Sequence, residues 1–316
     1  MSESTQRYLA PVIILVIILL LWEGAVAAFQ IQQFLLPRPT VILSNLVQVV
    51  RLTPETTTAS VEQVQDKLKE NSLVITIPSQ ASPQLTSALT SAAMLKIPWG
   101  GSTLLVLQGK NLSPILQAAW FTLKEALGGF AIGCSAAILM ALITSRWTAS
   151  REALMPFAIA ANSMPIIAFA PIANNWFGID NPFSKMSVVA IMVFFPVMIN
   201  MVRGLTQVDS RSLELMRSYA AGEFEIIRKL RIPNALPYLF NGLKVAAALS
   251  MIGAVVGEYF GGPRIALGVF ITQEAALFRF ASAWAAIVIA CIMGITLYLI
   301  ILGLERLAMP WHVSFR

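Results

Sequence analysis

Very few side chains in this 316-residue sequence are equipped for bond-making chemistry. His312 is the single histidine, and Cys134 and Cys291 lie in separate apolar runs, so neither a zinc set nor a hydrolytic triad can be assembled. Both cysteines read as small packing residues rather than as a disulfide or redox pair. No G-x-x-x-x-G-K-[ST] loop for nucleotide phosphates occurs. The expectation is a chain that is not an enzyme and holds no cofactor or metal, with any ATP chemistry supplied by a partner. The remaining candidates are polar groups inside apolar runs. Lys244 and Glu258 are ionisable, and charge within a membrane is a functional sign by default. Each stands a few residues from the end of its run, where it can reach toward water. With no carboxylate near the middle of a run, an ion-coupled secondary transporter is the less favoured reading. Asn162, Ser163, Pro165, Asn174, Asn175 and Asn200 could line a translocation path, with prolines exposing backbone groups and amides supplying contacts; helix packing accounts for them equally well.

The elements that must position these groups are apolar spans. Hydrophobic residues make up 57% of the chain and charged ones 12%, against about 45–50% and about 25% in soluble domains. The formal charge of +6 sits in short loops between apolar runs, without interleaved aromatics, so no nucleic-acid partner is expected. The fold class expected is an all-α integral membrane protein with six transmembrane helices and a small α/β extracytoplasmic insertion. The spans read as Leu9–Phe29, Phe121–Ile143, Ala153–Ala173, Met186–Val202, Leu239–Phe260 and Ala283–Leu304. The first could instead be a cleaved signal peptide, since Ala25, Val26 and Ala27 mimic a cleavage site. Gly128, Gly129 and Gly133 permit close helix packing. Pro156, Pro165 and Pro171 interrupt the third span, and the stretch Asn174 to Lys185 after it reads as an outward-facing turn. Arg7, Arg146, Arg151, Arg203, the basic residues from Arg211 to Arg231, Arg306 and Arg316 gather on one side, with Lys185, Arg264 and Arg279 in short loops on the other, which places both termini in the cytoplasm.

Between the first two spans, residues 51–110 are too polar to cross and too long for a plain loop. Val41 to Val50 reads as a short helix. After it, Ser60 can cap a helix, Leu73–Ile77 reads as a strand, Pro83–Leu95 as a second helix and Thr103–Leu107 as another strand. The domains expected are 1–50, with the first span; 51–110, the insertion; and 111–316, the membrane core.

A charged, helix-patterned island runs from Asp209 to Pro237 between two apolar spans. Ser210 can cap a helix carrying Leu213, Met216 and Ala220 on one face and Arg211, Glu214 and Arg217 beside it. Gly222 offers a break, and Phe224, Ile227 and Leu230 form a second stripe that Pro233 stops. Two such helices make a docking knob.

These residues resemble the permease subunits of binding-protein-dependent ABC importers. That family's cytoplasmic signature reads roughly E-A-A, three residues, G, nine residues, I-x-L-P; Glu214, Leu215, Met216, then Ala220, then Leu230 to Pro233 stand at those spacings. Leu215 and Met216 replace its alanines, and Ala220 its glycine, with Gly222 two positions on. Ile232 to Phe260 looks like the nitrate, sulfonate and taurine branch, and the stretches Arg203–Glu223 and Gly257–Pro263 look closer to riboflavin or thiamine-precursor permeases. The resemblance covers most of the chain outside 51–110. It implies a multi-pass protein of the bacterial cytoplasmic membrane and a path between two copies of a homodimer set in membrane lipid. A separate extracytoplasmic solute-binding protein and ABC ATPase subunits would be its partners. The ATPase would be coupled through 209–233, with Leu213, Glu214, Met216, Arg217, Tyr219, Ala220 and Gly222 as contacts. A small heterocyclic vitamin is the expected solute; a nitrate-, sulfonate- or taurine-type anion is the alternative.

Overall fold

The computed structural model describes residues 3–32, 35–47, 49–51, 74–78, 93–99, 102–107, 114–146, 156, 158–161 and 165–310. The chain divides into two compact units, one of residues 1–118 with 270–288, the other of 119–269 with 289–316.

In the first unit, helix α1 (Glu3–Ala28) covers the first expected span. Short helix α2 (Pro39–Val47) follows it, and Glu23 holds the two together by accepting from Thr40 N at 3.2 Å and Thr40 Oγ1 at 2.9 Å. Trp22 and Trp284 pack edge to face, with ring centroids 5.2 Å apart. Four strands, β1 (Val49–Arg51), β2 (Val74–Pro78), β3 (Ala93–Trp99) and β4 (Ser102–Leu107), form one sheet in the order β1-β2-β4-β3. The strands expected at 73–77 and 103–107 are therefore present. Two expectations need correction. Helix α2 stops at Val47 because Val49–Arg51 pairs in parallel with Val74–Thr76. The helix expected to reach Leu95 cannot do so, since Leu95 and its successors pair antiparallel with β4, Leu95 opposite Val106 and Trp99 opposite Ser102. The rest of that helix and the one expected from Ser60 lie outside the described residues.

The second unit is a helical bundle. Among the described residues four helices are long and apolar enough to cross a membrane. They are α3 (Pro114–Arg146), α5 (Pro182–Thr206), α8 (Ile232–Tyr259) and α10 (Phe280–Ala308). Between α3 and α5 the expected third span is not one helix in its described part. Pro165 is extended (φ −69°, ψ 90°), Ile166–Phe169 makes a single 3₁₀ turn, and α4 runs from Ala170 to Phe177. Proline at 165 and 171 removes ladder donors, which accounts for the break. Asn174 to Phe177, expected in an outward turn, close α4 instead, and Asn181 caps α5 by accepting from Phe183 N.

Small residues set the packing. A Cβ on Gly129 would lie 2.5 Å from Val189 Cβ, and one on Gly133 would collide with the Ala190 carbonyl, so α3 lies backbone to backbone on α5. Gly242 and Gly253 bring α8 against α5 in the same way. The core between these three helices is built of Ala126, Ala137, Val189, Val193, Val197, Met198, Ala246 and Ala254. Phe240, Ala247, Leu297, Ile301 and Met309 join α8 to the second half of α10.

Candidate functional site

Three polar regions stand out in the helical unit: a loop knob, an open groove and a buried charge group.

The knob follows α5. Asp209, not Ser210, caps α6 (Ser210–Ser218), since its carboxylate accepts from Ser212 N at 3.2 Å and Ser212 Oγ at 3.3 Å. Helix α6 ends on Ala220, whose φ is +52°. Ala220 N donates to Arg217 O and Ala221 N to Met216 O, the paired closing bonds that usually call for glycine at this position. The alanine that stands for the signature's glycine thus adopts a glycine conformation. Gly222 is extended (φ −69°, ψ 158°) and precedes α7 (Glu223–Ile226). The chain then makes one π turn, Ile227–Arg231, and passes directly into α8. Pro233 does not stop a helix as expected: the chain stays helical through it, the π turn at Ile227–Arg231 lying just before it where a proline would otherwise break the ladder. The second knob helix is therefore the root of a long helix. Asn234 Nδ2 donates to Gly204 O at 2.8 Å and Gln207 O at 3.0 Å, tying that root to the end of α5. A Cβ on Gly204 would lie 2.7 Å from Ala235 Cα, so the two helices touch there. Leu215, Tyr219 and Phe224 are exposed by 57%, 76% and 74%. Leu213 and Met216 are half-buried on their own chain, and Glu214 and Arg217 are exposed. The apolar surface open to a partner is thus Leu215, Tyr219 and Phe224; Phe224 belongs to the second expected stripe and Tyr219 to the expected contacts, while Leu215 was not expected to face outward.

The groove runs along α5 and α8. One hollow of about 600 Å³ is walled by Pro165, Ile166, Val188, Pro196 and Val256, and a second of about 640 Å³ by Asn241, Lys244 and Tyr298; Asn200, Val245 and Leu249 border both. Pro196 interrupts the α5 ladder, and Asn200 Nδ2 donates to the Pro196 carbonyl at 2.8 Å. Of the residues expected on a path, Pro165 and Asn200 line this groove. Asn174 is buried away from it, donating to Phe260 O at 3.3 Å and Gly261 O at 3.5 Å, and Asn175 is exposed. Asn162 and Ser163 lie outside the described residues. Lys244 does not simply extend to water: its ammonium meets both Glu305 oxygens, at 2.9 and 3.2 Å.

The buried group was not legible in the sequence. Glu258, expected to reach toward solvent, is fully buried, and Glu125 and Lys185 are 2% and 1% exposed. Lys185, expected in a loop, belongs to α5. The three come from α3, α5 and α8, at the end of the bundle where α3 and α5 begin and α8 stops. Thr122 and Glu125, three apart on one face of α3, were the one available signal.

Comparison with known proteins agrees with this arrangement. Residues 129–310 match the family described as binding-protein-dependent transport system inner membrane component. The chain is 33% identical over 193 residues to the riboflavin transport system permease protein of Chloroflexus aurantiacus, covering 61% of this chain and 71% of that one. It is 32% identical over 201 residues to the formylaminopyrimidine transport permease protein of Halalkalibacterium halodurans, covering 62% and 80%. The taurine transport system permease protein of Escherichia coli is 27% identical over 163 residues, covering 51% and 58%. A solved amino acid ABC transporter chain superposes with a TM-score of 0.51 at 17% identity, over 61% of this chain and 93% of that one, which is likeness of fold.

Proposed function

This chain belongs to the family of binding-protein-dependent transport system inner membrane components, and from that premise we propose that it carries riboflavin or a related heterocyclic vitamin across the cytoplasmic membrane. It is a multi-pass permease of an ABC importer, a transport subunit rather than the ATPase. The observation that carries the solute reading is the groove between α5 and α8. Its walls are chiefly aliphatic, with the Asn200 amide at its centre. A flat heterocycle buries its rings on such walls and offers hydrogen-bonding edges to an amide. The relatives named for riboflavin and formylaminopyrimidine transport point the same way.

In this reading six spans cross the membrane, the groove faces the partner copy of a homodimer, and Asn162, Ser163, Pro165, Asn174, Asn175 and Asn200 form or support the path. The sheet unit at 51–110 faces outward, beside an extracytoplasmic binding protein that delivers the solute. A cysteine at Gln65 should then react with an impermeant reagent in intact cells; reaction only after permeabilisation would reverse the topology. The knob at 209–233 docks the ATPase. Leu215, Tyr219 and Phe224 supply apolar contact, and Leu213, Glu214, Met216, Arg217, Ala220 and Gly222 shape and flank it. Asn234 passes its movement to α5 and α8 together.

Uptake of labelled riboflavin in a riboflavin-requiring host expressing the chain with its ATPase and binding protein tests the solute. Accumulation that stops when the ATPase is inactivated is expected. Uptake of taurine or another sulfonate in place of riboflavin would transfer the chain to the anion branch.

A further inference from the structure

The two hollows of the groove differ in chemistry although Asn200, Val245 and Leu249 border both. The one of about 600 Å³ is otherwise walled chiefly by apolar side chains, Ile166, Val188 and Val256 among them. The one of about 640 Å³ adds the Asn241 amide, the Lys244 ammonium and the Tyr298 hydroxyl. Each falls within the about 300–1,000 Å³ usual for a small-molecule site. Helix α8 rises from the knob, so the polar hollow, bordered from Asn241 to Leu249, lies nearer the cytoplasmic root of the permease. The apolar hollow, bordered from Val245 to Val256, lies nearer the outer end.

Among the described residues lining the two hollows, Lys244 is the one with a full charge. That charge is already taken. Glu305, one helix behind on α10, accepts from the ammonium at 2.9 and 3.2 Å, and the two side chains are only 16% and 8% exposed. Attraction between groups this close and this dry is little screened, so an arriving anion would have to displace a carboxylate that is in place. A neutral group meets no such cost. The ammonium has three hydrogens, and at least one remains after Glu305 is served. Asn200 donates to the Pro196 carbonyl and keeps its own carbonyl oxygen as an acceptor. Donors and acceptors grouped without net charge suit a chain of hydroxyls, each of which both donates and accepts.

We propose that the polar hollow is a specificity subsite for an uncharged, polyhydroxylated chain carried by a flat ring, with Lys244 touching the chain and Glu305 the positioning residue that neutralises Lys244. Orientation and solute here rest on the riboflavin-permease reading. The ring lies in the apolar hollow, its hydroxyl chain in the polar one, and Asn200 stands where the two meet. Glu305 is then the residue that excludes phosphates and sulfonates. Without it the groove would present a bare cation to every anion that entered.

The permease–ATPase complex in nanodiscs, without the binding protein, is titrated with riboflavin, with lumiflavin, which has the ring but no hydroxyl chain, and with riboflavin 5′-phosphate. Flavin fluorescence follows each, and calorimetry follows pentanesulfonate. The native complex should bind riboflavin at least tenfold more tightly than either analogue, the worth of one hydrogen bond to a charged group. Glu305→Gln keeps the shape of the site and frees the Lys244 charge. It should reverse the order of riboflavin and its phosphate and admit pentanesulfonate. The double variant Lys244→Met with Glu305→Gln leaves no orphaned ion to disturb folding, and it should bind riboflavin and lumiflavin alike. Native preference for riboflavin over its phosphate in Glu305→Gln, or over lumiflavin in the double variant, overturns the subsite. So does a permease dimer that separates in the double variant, which would give the hollow to the partner copy. A native complex that binds no flavin, while Glu305→Gln alone gains pentanesulfonate, would remove the vitamin and leave the neutralising role of Glu305 standing; without that gain both fall.

Discussion

At one end of the bundle Glu125, Lys185 and Glu258 are each at most 2% exposed; Glu258 is held by Thr122 and Gly268 and Lys185 by Ile179, all on other elements. At the other end Glu214, Arg217, Arg228 and Lys229 stand in solvent, and an ion pair such as Glu225–Lys229, at 3.0 Å, joins neighbours four apart on one helix. The same residue types are being used for different purposes. Buried charge is strongly coupled and costly to leave unpaired, so it fixes where this chain's own segments sit. Exposed charge is screened and weakly coupled to its own fold, so it is free to be read by another protein. Substitutions at the first end should therefore register as stability, and at the second as coupling to the ATPase.

The strongest way to break that contrast is Glu258→Leu. It leaves the Thr122 hydroxyl and the Gly268 N–H without an acceptor and takes a counter-charge from Lys185. Losing one member of a buried pair typically costs about 3–5 kcal/mol, and denaturant unfolding in detergent should show a loss of that size. A loss no larger than that of an exposed substitution would mean that the group is solvated and that the two ends do not differ. Gly133→Ala should be next. Its methyl group would meet the Ala190 carbonyl and Val193 Cγ2, an overpacking worth about 1–3 kcal/mol. It tests whether the buried end owes its order to α3 lying directly on α5. A neutral result would show that the helices can slide apart without penalty.

What could be read in the sequence follows the same division. The knob was legible because its information is local: a cap, a helix period, charges beside apolar residues and a signature at fixed spacing all lie within thirty residues. Even its errors were local. Asp209 rather than Ser210 caps α6, and Pro233 opens α8 rather than closing a helix. The strands at 74–78 and 102–107 were legible from their β-branched and aliphatic runs. Strand β1 was not, since three residues carry no period. The buried group was invisible for a different reason. Thr122, Lys185 and Glu258 are brought together by packing across 136 residues of sequence, and each alone looks like a charge or hydroxyl near a span end that can reach water. Helix α9 (Leu267–Ala276) posed the same problem, because its first two N–H groups are capped by Thr122 and Glu258 rather than from its own neighbourhood.

At the exposed end, Tyr219→Ala should leave unfolding of the permease unchanged and weaken ATPase binding. A buried aromatic contact is typically worth about 2 kcal/mol, or roughly thirtyfold in affinity. Glu214→Arg should likewise leave the spans inserted while uncoupling ATP hydrolysis from uptake or releasing the ATPase. Pull-down of the ATPase with each variant, set beside its unfolding curve, reads both arms. Undiminished ATPase binding and coupling in both variants would end the docking role of this face.

The smallest effect concerns Ala220. An L-residue in the left-handed region is disfavoured by roughly 1–2 kcal/mol, part of which glycine gives back through its greater freedom when unfolded. Ala220→Gly should therefore stabilise α6 by about 1 kcal/mol or less. Gly222→Ala, two residues on, should change little, because the backbone there is extended and a Cβ would meet nothing within 4 Å. The pair separates backbone conformation from side-chain contact, since neither substitution adds or removes a group that an ATPase would grip by its chemistry. Hydrogen exchange of the α6 amides is the suitable measurement, because a knob that opens locally will report there before it alters global unfolding. Slower exchange in Ala220→Gly with unchanged ATPase affinity would place the strain in the knob alone. Slower exchange with tighter binding would show that the partner recognises an already closed α6, and that the alanine at this position holds part of the docking energy in reserve. Unchanged or faster exchange would mean that the left-handed turn at Ala220 carries no strain, and the alanine would then stand at the signature's glycine position without consequence for the knob.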